Sequence, residues 1–192
     1  MSKSADTDES LARRATAGDR QAFAILVRAY GPKLAALARA YGVVPGDIED
    51  VVQDTYISAW RALTDFDGAR PFRAWLYQIC MNKARDWRRR RKVRGFFFGA
   101  VDVQGPEASS LESGAAGPET LAYQKGLEQR VRAVIDQMPD DLRQPFLLTA
   151  FAELTYAETA AALGLSLKAV ESRLVRARRI LREKLPSLDE PG

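Results

Sequence analysis

The stretch Leu154-Thr-Tyr-Ala-Glu-Thr-Ala-Ala-Ala-Leu-Gly-Leu-Ser166, continued by Leu167-Lys-Ala-Val-Glu-Ser-Arg-Leu-Val-Arg-Ala-Arg-Arg-Ile-Leu-Arg-Glu-Lys184, decides the fold. Thr155 and Glu158 have the spacing of a capping box, in which a hydroxyl and a carboxylate satisfy backbone amides at a helix start. The short helix so begun runs through Ala162 and is broken by Gly164. Ser166 can cap a second helix from Leu167, whose Val170, Leu174, Ala177 and Leu181 form one apolar stripe. A capped helix, a turn with Gly and a second helix make a helix-turn-helix. The face opposite the stripe carries Lys168, Ser172, Arg173, Arg176 and Arg179, donors suited to phosphates and base edges in a major groove. The plainer alternative is a solvated basic helix at the end of a bundle.

Working outward, helical spacing dominates the whole chain, and the fold class read from it is all-α. Leu11, Ala15, Phe23, Leu26, Val27, Tyr30, Leu34, Leu37, Ala38 and Tyr41 recur at three- and four-residue intervals. Breaks are expected at Gly18-Asp19 and Gly31-Pro32. Asp47, after Pro45-Gly46, is expected to cap a helix bearing Ile48, Val51, Val52, Thr55, Tyr56, Ala59, Trp60 and Leu63. Pro71 suits the first turn of a further helix from Phe72 to about Arg91. Trp75 and Trp87 fall on its apolar stripe and read as core before they read as stacking platforms. No segment alternates with period two for long enough to form a strand.

Composition removes several kinds of chemistry. The chain has 192 residues, no His and one Cys, a length that allows one ordinary domain or two small ones. Without imidazole there is no triad base, and a single thiol excludes both a Cys-rich zinc site and a disulfide framework. Cys80, between Ile79 and Met81, reads as a buried core thiol. No apolar run approaches the roughly 18 residues of a membrane span. The polar start lacks the pattern of a signal peptide, so a cytoplasmic protein without direct membrane insertion is expected.

Charge is segregated along the chain. From Asp47 to Asp67 six acidic residues face Arg61 alone; from Asn82 to Arg94 eight basic residues face Asp86 alone. Between Arg94 and Lys125 there is no basic residue and four acidic ones, and Lys168 to Lys184 has seven basic against two acidic. The segment from Gly95 to Thr120 holds five Gly, two Pro and three Ser and reads as a flexible acidic linker. The expected organisation is therefore two small helical domains, 1–95 and 122–186, joined by a linker over 96–121.

These motifs resemble those of the bacterial extracytoplasmic-function (ECF) sigma factors, group 4 of the sigma-70 family. The Leu154–Ser166 stretch with Val170-Glu-Ser-Arg-Leu-Val-Arg-Ala-Arg is similar to their region 4. Asp47-Ile-Glu-Asp-Val-Val-Gln-Asp-Thr-Tyr-Ile-Ser-Ala-Trp resembles region 2.2. Arg73-Ala-Trp-Leu-Tyr-Gln-Ile with Asn82-Lys-Ala-Arg-Asp-Trp-Arg-Arg-Arg resembles region 2.4. The resemblance spans roughly 10–93 and 122–185.

It implies a promoter-specificity subunit of RNA polymerase, not an enzyme and without cofactor or metal, acting in stress responses under an anti-sigma factor. Asp50, Gln53, Asp54 and Ser58 would dock on the β′ clamp helices, while region 4 would meet the β flap. In minus-ten recognition, Phe66 lies in the loop that would cradle a flipped base. Asn82 and Arg85 would contact bases or sugar, and Arg88, Arg89, Arg90 and Arg91 would hold phosphates. Ser166, Lys168, Glu171, Ser172, Arg173, Arg176 and Arg179 would read the minus-thirty-five element. Glu171 either accepts from cytosine or pairs with a neighbouring Arg, the second being favoured. The linker would mimic RNA in a polymerase channel or serve as a solvated tether, with Phe96-Phe97-Phe98 packing on the N-terminal domain or a partner. Two rivals stay open: a helix-turn-helix regulator that binds duplex DNA alone, and a metal-dependent nucleic-acid enzyme using Asp50 and Asp54.

Overall fold

A computed structural model describes residues 7–66, 68, 70–98 and 118–185. Eight α-helices make up these residues: α1 (Asp8–Thr16), α2 (Arg20–Tyr41), α3 (Ile48–Arg61), α4 (Phe72–Phe98), α5 (Pro118–Gln137), α6 (Asp140–Ala150), α7 (Tyr156–Leu163) and α8 (Leu167–Lys184). No strand occurs among the described residues. Short polar residues fix the helix starts. Thr7 Oγ1 accepts from the Ser10 amide at 3.2 Å, and Asp19 Oδ1 accepts from Gln21 and Ala22 at 2.9 and 3.1 Å. Gly18, at φ +95°, makes the sharp turn between α1 and α2 that a side chain would resist.

Three local expectations need correction. The first is the break at Gly31-Pro32, because α2 runs through both. Pro32 leaves the Arg28 carbonyl without its amide partner, and just above it the Tyr56 hydroxyl donates to the Val27 carbonyl at 2.8 Å. A donor from α3 thus supports the helix where the proline weakens it. The second is Asp47, whose side chain caps nothing and instead accepts from Trp87 Nε1 at 2.7 Å, tying the start of α3 to α4. The third is the extent of α4, which continues to Phe98, while α5 already begins at Pro118. An Arg-rich helix survives Gly95, and proline is well suited to a first helical position. Both ends of the expected linker are therefore helical; its middle, 99–117, and the side chains of Phe96–Phe98 lie outside the described residues.

Helices α1 to α4 pack around Leu26, Leu34, Leu37, Tyr41, Phe72, Leu76 and Met81, all buried. This core does not stop at the N-terminal half. Ile135, Leu147, Leu148, Ala152, Leu154 and Ala162 belong to the same contiguous apolar cluster. The C-terminal helices add two small clusters of their own, Met138 with Leu142 and Ala177, and Ala160 with Val170 and Leu174. A four-helix unit of this size has little core to itself, so the shared apolar seam supplies much of its burial.

Polar contacts line that seam. Arg73 of α4 makes a bidentate pair with Glu158 of α7, at 2.9 and 2.7 Å. Arg88 of α4 donates to the Asp136 carbonyl at 2.5 Å and lies 3.4 Å from its carboxylate. Tyr41 donates to Asp140 at 3.1 Å, and Arg132 donates to the Arg39 carbonyl at 2.9 Å. Gly42 closes α2 in a left-handed conformation, and a Cβ there would lie 2.5 Å from Asp136 Oδ1. The left-handed turn favours glycine, and a Cβ there would push the Asp136 carboxylate aside.

Candidate nucleic-acid interface

The C-terminal helix pair has the expected construction. Thr155 Oγ1 accepts from the Glu158 amide at 3.2 Å, and the Glu158 carboxylate accepts from the Thr155 amide at 2.9 Å, completing the capping box of α7. Gly164, at φ +64°, ends α7 in the left-handed region, and Ser166 Oγ then accepts from the Ala169 amide at 3.2 Å to start α8. Each such cap is worth about 0.5–2 kcal/mol. Val170, Leu174 and Ala177 are buried, which turns the opposite face of α8 outward. Ser166, Lys168, Glu171, Ser172, Arg176 and Arg179 are exposed there, and Arg173 is half-buried at the edge. Arg179 pairs with Glu183 at 3.6 Å, whereas Glu171 forms no ion pair among the described residues. The favoured pairing of Glu171 with an arginine is thus not seen, and its carboxylate stands free on the outward face.

Helix α4 supplies the second basic surface. Arg85, Arg89 and Arg90 are exposed, Asn82, Arg88 and Arg91 are half-buried, and Arg91 lies over the Trp87 ring at 5.5 Å. Trp75 and Trp87 are buried and form core, as their stripe position predicts. Phe66 is half-buried at the rim of an aromatic cluster, its ring 5.7 Å from Phe72 and 5.1 Å from Trp75. The loop before α4 is thereby anchored on the helix that carries the cations.

The acidic surface lies on α3. Asp50, Gln53 and Asp54 are exposed, while Ser58 is half-buried at the edge of the same helix. Beside them the structure adds an apolar element absent from the expected set: Ile57 and Trp60 are both large and about 40% exposed, and Trp60 packs against Phe23 of α2 at 4.9 Å. Phe23, Val27 and Trp60 line a shallow depression flanked by Arg20 and Arg28. Interface cores favour exposed aromatics of this kind. The signal was present in the sequence, since Trp60 is three residues from Ile57 on the face opposite Val51 and Thr55. No group of three or more His, Cys, Asp or Glu side chains that could hold a metal occurs among the described residues.

Comparison with known proteins covers nearly the whole chain. The Sigma-70 region 2 model matches residues 26–94, and the Sigma-70 region 4 model matches residues 128–181. The RNA polymerase sigma factor NccH of Alcaligenes xylosoxydans xylosoxydans is 46% identical over 180 residues, covering 94% of this chain and 95% of that one. The ECF RNA polymerase sigma-E factor of Escherichia coli K12 is 37% identical over 187 residues, covering 95% of this chain and 96% of its own. The chain belongs to the ECF sigma factors of the sigma-70 family. Solved structures agree. CnrH in complex with the cytosolic domain of CnrY superposes with a TM-score of 0.68 at 38% identity, over 95% of this chain and 99% of that one. The sigma factor RpoE in complex with the anti-sigma factor NepR from Bartonella quintana gives 0.59 at 26% identity, over 86% and 95%.

Within this sigma factor, α3 and α4 lie in region 2 and α6 to α8 in region 4. One structural residue of region 4 escaped the sequence reading. Arg143 is 2% exposed, and its guanidinium donates to the Ile135 carbonyl at 2.8 Å, to the Asp136 carbonyl at 2.7 Å and to the Met138 carbonyl. Burial pulls its pKa down, and the favourable end of the α5 dipole offsets the cost of keeping the charge. Arg143 also lies 3.3 Å from the carboxylate of Asp140, but that spacing alone reads as a surface ion pair and does not signal the buried carbonyl partners.

Proposed function

We propose that this sigma factor carries core RNA polymerase to promoters by dividing the work among its three surfaces. The α3 face, with Asp50, Gln53 and Asp54 beside Ile57 and Trp60, docks on the clamp helices of the β′ subunit. Ser58 borders that contact. On α4, Asn82 and Arg85 meet the bases or sugars of the melted minus-ten element, Arg88 to Arg91 hold its phosphates, and Phe66 helps to cradle an extruded base. On α8, Lys168, Ser172, Arg173, Arg176 and Arg179 enter the major groove of the minus-thirty-five element, with Ser166 and Glu171 at the margin of that contact, while region 4 also meets the β flap. The domains act as separate readers at 1–95 and 122–186, with the segment between them spanning the gap.

The chain contributes recognition and strand capture, and the polymerase contributes the chemistry. It works in the cytoplasm, where the polymerase is. Its neighbours CnrH and RpoE are each seen with a regulatory partner, CnrY and the anti-sigma factor NepR. We infer an anti-sigma factor for this chain as well. The observation that carries the reading is the coincidence, in one chain, of an outward basic α8 in an intact helix-turn-helix and a second basic helix seated on an aromatic cluster. Run-off transcription with core polymerase on a genomic fragment library tests it. Discrete start sites that require both chain and core are expected. Tight, sequence-specific duplex binding by the chain alone would overturn it in favour of a free-standing regulator.

A further inference from the structure

Two neighbouring rows of side chains at four-residue spacing run along the exposed side of α8. One, Lys168, Ser172 and Arg176, carries hydrogen-bond donors. The other, Glu171, Val175 and Arg179, does not fit a surface built for phosphates alone. Glu171 is a carboxylate set among cations, exposed and without an ion pair among the described residues, so no contact within them accounts for it. Val175 is 64% exposed, the most of any large apolar side chain among the described residues. A β-branched residue gains nothing on a solvated helix surface, where straight side chains keep more rotamer freedom. Neither residue serves the fold. In a major groove each has a partner of distinct chemistry. Guanine N7 and O6 and thymine O4 repel a carboxylate, and adenine sets its amine beside the N7 acceptor, whereas the cytosine N4 amine donates to it without such a neighbour. An apolar side chain finds its match in the thymine C5 methyl. Residues four apart on a helix have Cβ atoms about 5–6 Å apart, and base pairs are stacked about 3.4 Å apart. Glu171 and Val175 therefore reach base pairs one or two steps from each other.

We propose that Glu171 and Val175 set the base preference of α8: Glu171 selects a cytosine, Val175 selects a thymine one or two base pairs away on either strand, and the row from Lys168 to Arg176 supplies the larger part of the affinity. The proposal rests on the reading of α8 as the groove-reading helix and deepens it, giving Glu171 a selective part at the margin of that contact. The carboxylate acts by exclusion as well as attraction, since it costs binding wherever guanine or thymine takes the place of the cytosine. The cations of the neighbouring row offset its repulsion of the backbone phosphates.

The test uses the full chain assembled with core polymerase and a promoter recovered by run-off transcription, its minus-thirty-five element randomised and the bound duplexes sequenced. The parent chain is expected to enrich a cytosine and a thymine at that spacing by about fivefold or more over the other bases. Glu171→Gln is expected to move the cytosine preference to adenine, which glutamine binds through N6 and N7, with the thymine kept. Replacing that thymine by deoxyuridine, which lacks only the methyl, is expected to weaken binding about fourfold, the worth of one buried methyl group. In Val175→Ser the same replacement is expected to have no effect. Absence of either base from the enriched sequences, a cytosine preference that survives Glu171→Gln, or a deoxyuridine penalty that is missing in the parent or persists in Val175→Ser would overturn the proposal. Arg176→Ala separates the two levels. If it leaves affinity for the parent promoter intact, the assignment of α8 fails and the base-selecting pair with it. If it weakens binding while the base preferences ignore Glu171→Gln and Val175→Ser, the pair alone fails.

Discussion

Helices α4 and α8 are both Arg-rich, both amphipathic and both seated on apolar cores, yet their cations have unlike surroundings. Those of α8 project from a helix whose buried stripe is Val170, Leu174 and Ala177, and among the described residues Arg178, Arg179 and Lys184 find protein partners, the Tyr156 hydroxyl, Glu183 and the Gln137 side-chain carbonyl. On α4, Arg73 and Arg88 are engaged across the seam, whereas Arg85, Arg89 and Arg90 stay exposed. Composition alone would rank the two helices as equal nucleic-acid ligands. Packing commits two cations of α4 to the seam and leaves the rest, with the outward set of α8, at the surface.

The largest expected effect comes from cutting the seam at its apolar base. Leu148, on α6, is fully buried in the cluster that also holds the residues of α1 to α4. Leu148→Ala should cost about 2–5 kcal/mol. All three tryptophans, Trp60, Trp75 and Trp87, lie in α3 and α4, so tryptophan fluorescence during urea unfolding reports only on the other half. A single transition with a lowered midpoint is expected. A tryptophan transition that stays put while the helical signal of the C-terminal half melts early would show two independent units.

A smaller effect distinguishes the two basic helices inside the polymerase complex. Arg176→Ala should weaken promoter binding about tenfold or more, the loss of a good base or phosphate contact. Arg88→Ala should cost less overall, since it removes one phosphate contact among those shared by Arg88 to Arg91. Equal losses for the two, measured as open-complex formation on one promoter, would erase the difference between the helices. Smallest of all is a change in the turn beside the seam. Glu153 sits at φ +53°, a conformation that disfavours a non-glycine residue. Glu153→Gly should raise stability by about 0.5–1 kcal/mol, read as a higher melting temperature.

What was legible in the sequence follows the range of the interactions. The capping box of Thr155 and Glu158, the Gly164 stop and the Ser166 cap each depend on residues within four positions, and each is found where it was expected. The buried stripe of α8, and with it the outward set from Lys168 to Arg179, follows from periodicity. Partners far apart in sequence were not legible. Asp47 looked like a cap because Trp87, forty positions away, could not be known to claim it. Pro32 looked like a break because Tyr56 could not be seen supporting the Val27 carbonyl. Glu158 was read for its local duty only, since Arg73 is 85 residues distant. Charge counting found the acidic face of α3 but not Ile57 and Trp60 beside it, as apolar residues are read first as core.

The shared seam is tested most directly by the distance between the halves, with and without polymerase. Cysteines introduced at the exposed positions Arg13 and Arg182 accept a dye pair, while burial pushes the Cys80 thiol up to about 12 and leaves it unlabelled in the folded chain. High energy transfer is expected for the free chain, reduced by Glu158→Gln and lost on addition of core polymerase. Transfer in the free chain no higher than in the complex would contradict a core shared by the two halves.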